Sequence, residues 1–282
     1  MRVHIIGVGL IGGSFAVDIR NAFSDVQLVG IDSNSDHLEQ ALSLGIIDEV
    51  EELNDIRTSD MVIVAVPVDV SIALIKQVLD IVEDHTLVID TGSTKGRLCE
   101  ALSTHPNRRN FLAAHPISGT EFSGPQAAIK DLYRNKTNII CEVEKTAFKL
   151  QERALELFQK LGMRICYMDP KSHDRHIAYV SHLSHISSFM LGKTVLEKEK
   201  DERNIFDLAG SGFASTVRLA KSSPAMWTPI FEQNKENVVE ILNEYIQNLN
   251  MFKDLLESNN FEGIFNEMEK TNHIKSILNG II

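Results

Sequence analysis

At 282 residues, with 43% hydrophobic and 24% charged content, the chain is ordinary globular material, long enough for one large core or, as expected here, two smaller ones. A formal net charge of -11 without any basic run excludes a nucleic-acid partner, which requires a basic surface to displace the counterions of phosphates. The three cysteines, Cys99, Cys141 and Cys166, lack CxxC spacing, so they point to no disulfide framework or thiolate zinc site and fit a reducing cytoplasm.

The apolar start, residues 3–11, is broken by glycines and leads into Asp18 and Arg20, which excludes a signal peptide. No stretch reaches the roughly 18 apolar residues that a membrane span needs. Short β-branched runs at 3–6, 27–31, 61–66, 87–90, 111–114, 137–141 and 164–167 predict strands, most of them too apolar for a sheet with one wet face. Between them, apolar residues recur at three and four over 11–22, 35–44, 70–81, 95–102 and 145–161, which predicts crossover helices. The alternation predicts an α/β fold, an N-terminal doubly wound sheet with parallel strands over residues 1–168. After Asp169-Pro170 strand signals vanish. Helical periodicity covers 171–196, 205–208, 214–220, 225–250 and 251 to the late 270s, so an all-α C-terminal domain is expected over 169–282. Its expected work is to close the cleft, bind substrate and dimerise.

The run Gly7-Val8-Gly9-Leu10-Ile11-Gly12 follows a predicted strand and opens a predicted helix. The glycines allow a tight turn, close approach of backbone to a pyrophosphate, and close packing of helix on strand, while the helix N-terminus faces the phosphates. Asp32 ends the second strand, where a carboxylate accepts hydrogen bonds from an adenine ribose. It would repel a 2'-phosphate, and Ser33, Asn34 and Ser35 follow instead of arginine or lysine, so a Rossmann-type domain binding NAD rather than NADP is expected.

Ligands of such sheets lie beyond the carboxyl ends of the strands, where three loops qualify. Val66-Pro67 forms a turn beside the expected nicotinamide half, or a plain proline turn. In the loop from Asp90 through TGSTK, residues 90–95, Ser93 either caps a helix or hydrogen-bonds a catalytic group or substrate oxygen. In HPISGTE, residues 115–121, His115 is suited to be a general base near neutrality. His173, His176, His182 and His185 recur at helical spacing, yet no HExxH-type pattern accompanies them, so no metal site is expected.

Together GVGLIGGS, TGSTK, HPISGTE, SHLSH and GFASTVRLAKSSPAMW resemble the prephenate and arogenate dehydrogenase family, over nearly the whole chain and in the same order. The resemblance implies oxidative decarboxylation of a cyclohexadienol: the C4 hydride passes to NAD, carbon dioxide leaves, and prephenate becomes 4-hydroxyphenylpyruvate. It implies that His115 takes the C4-hydroxyl proton, that Ser93 orients the histidine or the hydroxyl, and that Arg218 binds a substrate carboxylate, a role its planar fork supports. His185 and His182 would line the substrate pocket. Glu121 matches an acid at the pocket mouth, read either as an ionic gate or as a solvated carboxylate, and Trp227 is read as a packing anchor. A homodimer formed through the helical domain is also implied, with no regulatory domain expected from the domain content. The chain departs from the family pattern at Ser215, where an acid is common, and at Ser184, where proline is common. Ser223 stands where arogenate-preferring relatives can carry an acid, which favours prephenate.

Three other readings remain. One is arogenate dehydrogenase. Another is a small-acid or imine oxidoreductase of similar layout, which would rely on a lysine in the helical domain or lack the histidine of HPxxGTE. The last is an NAD-binding regulator, which would be expected to have lost Ser93, His115 or Arg218.

Overall fold

The computed structural model describes residues 1–200, 202 and 204–278; residues 201, 203 and 279–282 of the expected helical domain lie outside the described residues. Eight strands form a single sheet in the order β3-β2-β1-β4-β5-β6-β7-β8. They are β1 (Arg2–Ile6), β2 (Gln27–Ile31), β3 (Glu49–Val50), β4 (Met61–Val64), β5 (Leu87–Asp90), β6 (Phe111–Pro116), β7 (Thr137–Cys141) and β8 (Arg164–Met168). The helices that cross between them are α1 (Leu10–Ala22), α2 (Ser35–Ser43), α3 (Val68–Ile81), α4 (Gly96–Leu102) and α5 (Phe148–Lys160).

The central strands are apolar because they are covered on both faces. Ile5, Ile63 and Ile89 pack with Phe15 and Ile19 of α1 and with Leu157 and Phe158 of α5; Val62, Val64 and Val88 pack with Ile75 and Val78 of α3 and with Leu98 of α4. From β1 the chain winds one way to β2 and β3, then the other way to β4, β5 and β6, all parallel. That reversal leaves a crevice at the carboxyl ends of β1 and β4.

Two strand details differ from expectation. The two-residue β3 is too short to give an alternation, and β7 runs antiparallel to β6, so the sheet is mixed. A parallel return needs a crossover helix. Residues 117–136 instead carry Gly119, Gly124 and Pro125, form only a short 3-10 turn at Pro125–Ala127, and lie across α1. They are pinned there by the Ile129 N–H donating to Ser14 Oγ (2.9 Å), the Asp131 N–H to Asp18 Oδ1 (2.7 Å) and the Tyr133 hydroxyl to the Ile11 carbonyl (2.6 Å).

The chain divides into two compact units, Met1–Lys235 and Glu236–Ile282. Beyond the sheet, the first holds α6 (Pro170–Ile177), a wide π turn (Ala178–His182), α7 (Leu183–Glu199), α8 (Ser211–Thr216) and α9 (Pro224–Gln233). Asp169 caps α6 by accepting from the Lys171 and Ser172 amides, and Pro170 occupies the first helical position, where no amide hydrogen is needed. The helix expected over 225–250 is broken at Asn234, whose buried side-chain amide donates to the Asp174 carbonyl (2.7 Å). α9 docks on α3 through Val68, Trp227 and Ile230, and through Gln233, which bonds both Thr94 Oγ1 and the Val68 carbonyl.

The second unit holds α10 (Lys235–Glu257) from its second residue onward, α11 (Phe261–Thr271) and α12 (Ile274–Leu278). Asn260 caps α11 through the Gly263 amide, placing the break near 259 rather than at 250. Leu249, Phe252, Phe265 and Met268 line an open apolar groove between α10 and α11. Among the described residues no helix is long and apolar enough to cross a membrane.

Candidate active site

Every loop singled out in the sheet domain emerges at one edge, because β1, β2, β4, β5 and β6 are mutually parallel. Gly7 turns the chain out of β1 with φ +89°, a conformation that favours glycine. A Cβ at Gly12 would lie 1.9 Å from the Gly7 carbonyl oxygen, so α1 sits closer to the strand than any side chain permits. Gly9 is different: its nearest neighbour would be the Gly124 nitrogen at 3.9 Å, which leaves open space above the first turn of α1, where Leu10 and Ile11 begin the helix.

Asp32 accepts from the Val8 amide (3.0 Å) and the Asn34 amide (2.9 Å), which fixes its carboxylate against the glycine turn, and His37 Nδ1 lies 3.6 Å away. Val66 closes over Gly7, and Pro67 stands at the cap position of α3, which begins two residues earlier than periodicity suggested. A dinucleotide fits this cradle: a tight turn, a free helix N-terminus, space at Gly9 and a preset carboxylate. We expect Asp32→Ala to weaken NAD by about 10- to 100-fold, the scale of hydrogen bonds to a charged group, and to relax discrimination against NADP. Titration with both cofactors checks this; unchanged affinities would remove the ribose contact.

His115 lies within β6 and is 9% exposed. Its Nδ1 is 2.8 Å from Nε2 of His173, whose Nδ1 is 2.8 Å from Asp174 Oδ1; both partners belong to α6. Asp174 also accepts from the Lys95 amide (2.7 Å) and the Gly96 amide (2.8 Å), the first amides of α4. Lys95 rather than Ser93 therefore stands at the cap of α4, and half-buried Ser93 lies in the loop that leaves β5, the strand paired with β6. The buried Lys95 ammonium pairs with Asp90, which also accepts from the Ala114 amide (3.0 Å) and the Gly92 amide (3.1 Å). Burial raises the Asp90 carboxyl above its ordinary range, against the pull of Lys95 and these amides.

Burial, and then the electrostatics of His173, Lys95 and His182, hold the His115 pKa well below 6.5. The ring is therefore neutral at physiological pH and able to accept a proton. Burial likewise lowers His173, against the raising influence of Asp174. At Asp174 burial favours the protonated form, but the His173 ring and the two amides outweigh it, leaving the pKa lowered.

Arg218 is 52% exposed and its Nη1 meets Glu121 Oε2 at 3.2 Å, joining the HPISGTE loop to the end of α8. His185 stacks on Trp227 with ring centroids 3.5 Å apart and donates from Nδ1 to the Ser181 carbonyl (3.0 Å), keeping Nε2 free; burial lowers its pKa. His182 is fully buried, edge-on to Trp227, and burial pushes its pKa down to about 4. Its Nδ1 lies 3.2 Å from the Asn234 amide, and its Nε2 has no hydrogen-bond partner. Among the described residues no three potential ligands gather as for a metal ion.

Sequence reasoning placed Asp90 and Lys95 in a candidate loop without a role of their own, and did not find His173 or Asp174 as parts of this site. Their pairings connect positions as far apart as Lys95 and Asp174, and the only local signal was the run of histidines beginning at His173.

Residues 15–167 match the model of the prephenate dehydrogenase nucleotide-binding domain, and residues 169–270 match that of the prephenate dehydrogenase dimerization domain. A prephenate dehydrogenase of Bacillus subtilis is 29% identical over 271 residues, which cover 93% of this chain and 72% of the relative. One from Lactococcus lactis is 30% identical over 253 residues, 88% of this chain and 69% of the relative. The crystal structure of a prephenate dehydrogenase from A. aeolicus in complex with hydroxyphenyl propionate and NAD+ superposes with a TM-score of 0.91, at 32% identity, over 99% of this chain and 98% of that one. The glycine turn, the histidine of β6 and the arginine after α8 thus stand within a chain that matches in both sequence and fold, and the chain belongs to the prephenate dehydrogenase family.

Proposed function

We propose that this protein catalyses the NAD-dependent oxidative decarboxylation of prephenate to 4-hydroxyphenylpyruvate, a step of tyrosine biosynthesis. The observation that carries the reading is a neutral, buried His115 beside a cofactor cradle of family type. NAD, when bound, takes up the hydride from C4. His115 accepts the C4-hydroxyl proton through Nε2 as that hydride leaves. The ring then holds a C4 carbonyl. Loss of the C1 carboxylate as carbon dioxide sends its electron pair into the ring, and the proton returns to the oxygen of the new phenol. Aromatisation supplies much of the driving force, so these residues chiefly position the reacting groups.

Ser93 hydrogen-bonds the C4 hydroxyl or His115, and Arg218 receives a substrate carboxylate, with Glu121 as its partner until substrate arrives. His185 lines the ring site, with His182 behind it. This assignment gives residues 1–168 the cofactor and 169–282 the substrate and a homodimer interface, supported by the family's dimerization domain and the apolar groove of the second unit. Free cysteines at 99, 141 and 166 fit work in the cytoplasm.

The direct test is NADH formation with carbon dioxide release on adding prephenate at saturating NAD. Inactivity with both prephenate and arogenate would sink the assignment, and preference for arogenate would move it to the neighbouring activity. Arg218→Ala is expected to raise the KM for prephenate by roughly 10- to 100-fold with a smaller change in kcat, as loss of a charge-assisted fork predicts. An unaltered KM would place the carboxylate elsewhere.

A further inference from the structure

His173 and Asp174 are buried, polar and joined in series to His115. Asp174 receives three hydrogen bonds, from the Lys95 and Gly96 amides and from His173 Nδ1. A carboxylate so surrounded is ionised and can only accept, so His173 must carry its proton on Nδ1. His173 is neutral, held so by burial, and its Nε2 is therefore a lone-pair acceptor. His115, 2.8 Å away through Nδ1, must then be the donor, which leaves its Nε2 without a proton.

We propose that His173 and Asp174 are positioning residues, a hydrogen-bond relay that locks His115 in its Nδ1–H tautomer so that Nε2 is always ready to accept the substrate hydroxyl proton. The proposal rests on His115 being the base. Freed of the relay, the ring can take the opposite tautomer, whose Nε2–H donates toward the hydroxyl and cannot accept from it. The logic is that of a base oriented by a third group, here with a second imidazole inserted between base and carboxylate.

The same carboxylate holds the first amides of α4, so relay and Ser93 loop share one anchor. Gly96 makes room for it: a Cβ there would stand 2.8 Å from Asp174 Oδ2. Around the relay stand Lys95 with Asp90, from β5 and its loop, His182 from the π turn, and the buried thiols of Cys99 in α4 and Cys141 in β7, both held protonated by burial.

The test compares His173→Leu, which severs the relay, with His173→Gln, whose side-chain carbonyl can accept from His115 while its amide donates to Asp174. Nitrogen NMR of histidine-labelled protein reads the tautomer of His115 without any turnover. The expected result is Nδ1–H in the parent and in His173→Gln. In His173→Leu we expect Nε2–H and a kcat lower by on the order of 10²-fold, with KM for NAD unchanged and melting temperatures alike. A parent His115 protonated on Nε2, or equal turnover in the Leu and Gln variants, overturns the relay. The parent NMR measurement decides the matter even if His173→Leu does not fold. Full turnover in His115→Asn would instead remove the base itself, a failure distinguishable because His115 of the parent would still read Nδ1–H.

Discussion

His115→Asn should lower kcat by roughly 10²- to 10⁴-fold, the scale of one general base, while NAD binds as in the parent. The substitution keeps a polar group of similar reach in β6 but removes the acceptor nitrogen. It acts at the end of one strand and leaves the glycine turn of β1 untouched, so cofactor titration separates the base from the binding site. The parent also has a distinctive pH response. Activity needs the neutral ring, and burial, with the electrostatics of the groups around it, has pushed the His115 pKa well below 6.5. The acid limb of kcat/KM must therefore fall well below pH 6.5, with activity retained as pH drops through the ordinary histidine range. A limb centred at 6.5 or above would mean that another group, or a solvated ring, governs the reaction. Steady-state rates across pH 4 to 9, in the parent and the variant, test both statements.

The second large effect is expected at Gly12. Gly12→Ala places a methyl group 1.9 Å from the Gly7 carbonyl and 2.9 Å from the Ile5 side chain, so strand and helix must part. The cost of such overpacking is about 1–3 kcal/mol of stability, and the displaced α1 N-terminus should lose NAD affinity by on the order of 10²-fold or more. Gly9→Ala is its complement. With only the Gly124 nitrogen 3.9 Å away, the added methyl is accommodated by the fold but stands where the pyrophosphate approaches. Melting curves and NAD titrations should show Gly12→Ala failing in both and Gly9→Ala in affinity alone. Parent-like NAD affinity in Gly12→Ala would contradict the close-packing role.

Local sequence signals carried the sheet domain. β2, β5 and β7 begin and end at the residues predicted for them, since the apolar stretch of a strand covered on both faces stands out from the polar loops on either side. The glycine motif and Asp32 were legible for the same reason: turn, cradle and carboxylate are all specified within a single βαβ unit. What escaped was non-local. The direction of β7 depends on the path of 117–136 across α1, and that path is set by bonds to Ser14, Asp18 and Ile11 more than a hundred positions away. Asn234 interrupts a helical pattern where its buried amide adds a second hydrogen bond to the Asp174 carbonyl, and periodicity has no means of registering a contact so distant in sequence. His173 read as one more histidine on a helix face until the fold set it against His115.

The π turn at Ala178–His182 can be viewed as a one-residue insertion. An α-helix advances about 100° per residue, so a single extra residue rotates everything after it by that amount relative to everything before. The segment ahead of the turn presents His173 to the end of β6, and the segment behind it lays His185 on Trp227. Without the additional residue those two aspects of one continuous helical rod would be out of phase. Deleting Val180 should therefore preserve helix content yet dismantle the substrate side of the site, an indel sensitivity that no point substitution in the same turn would reproduce.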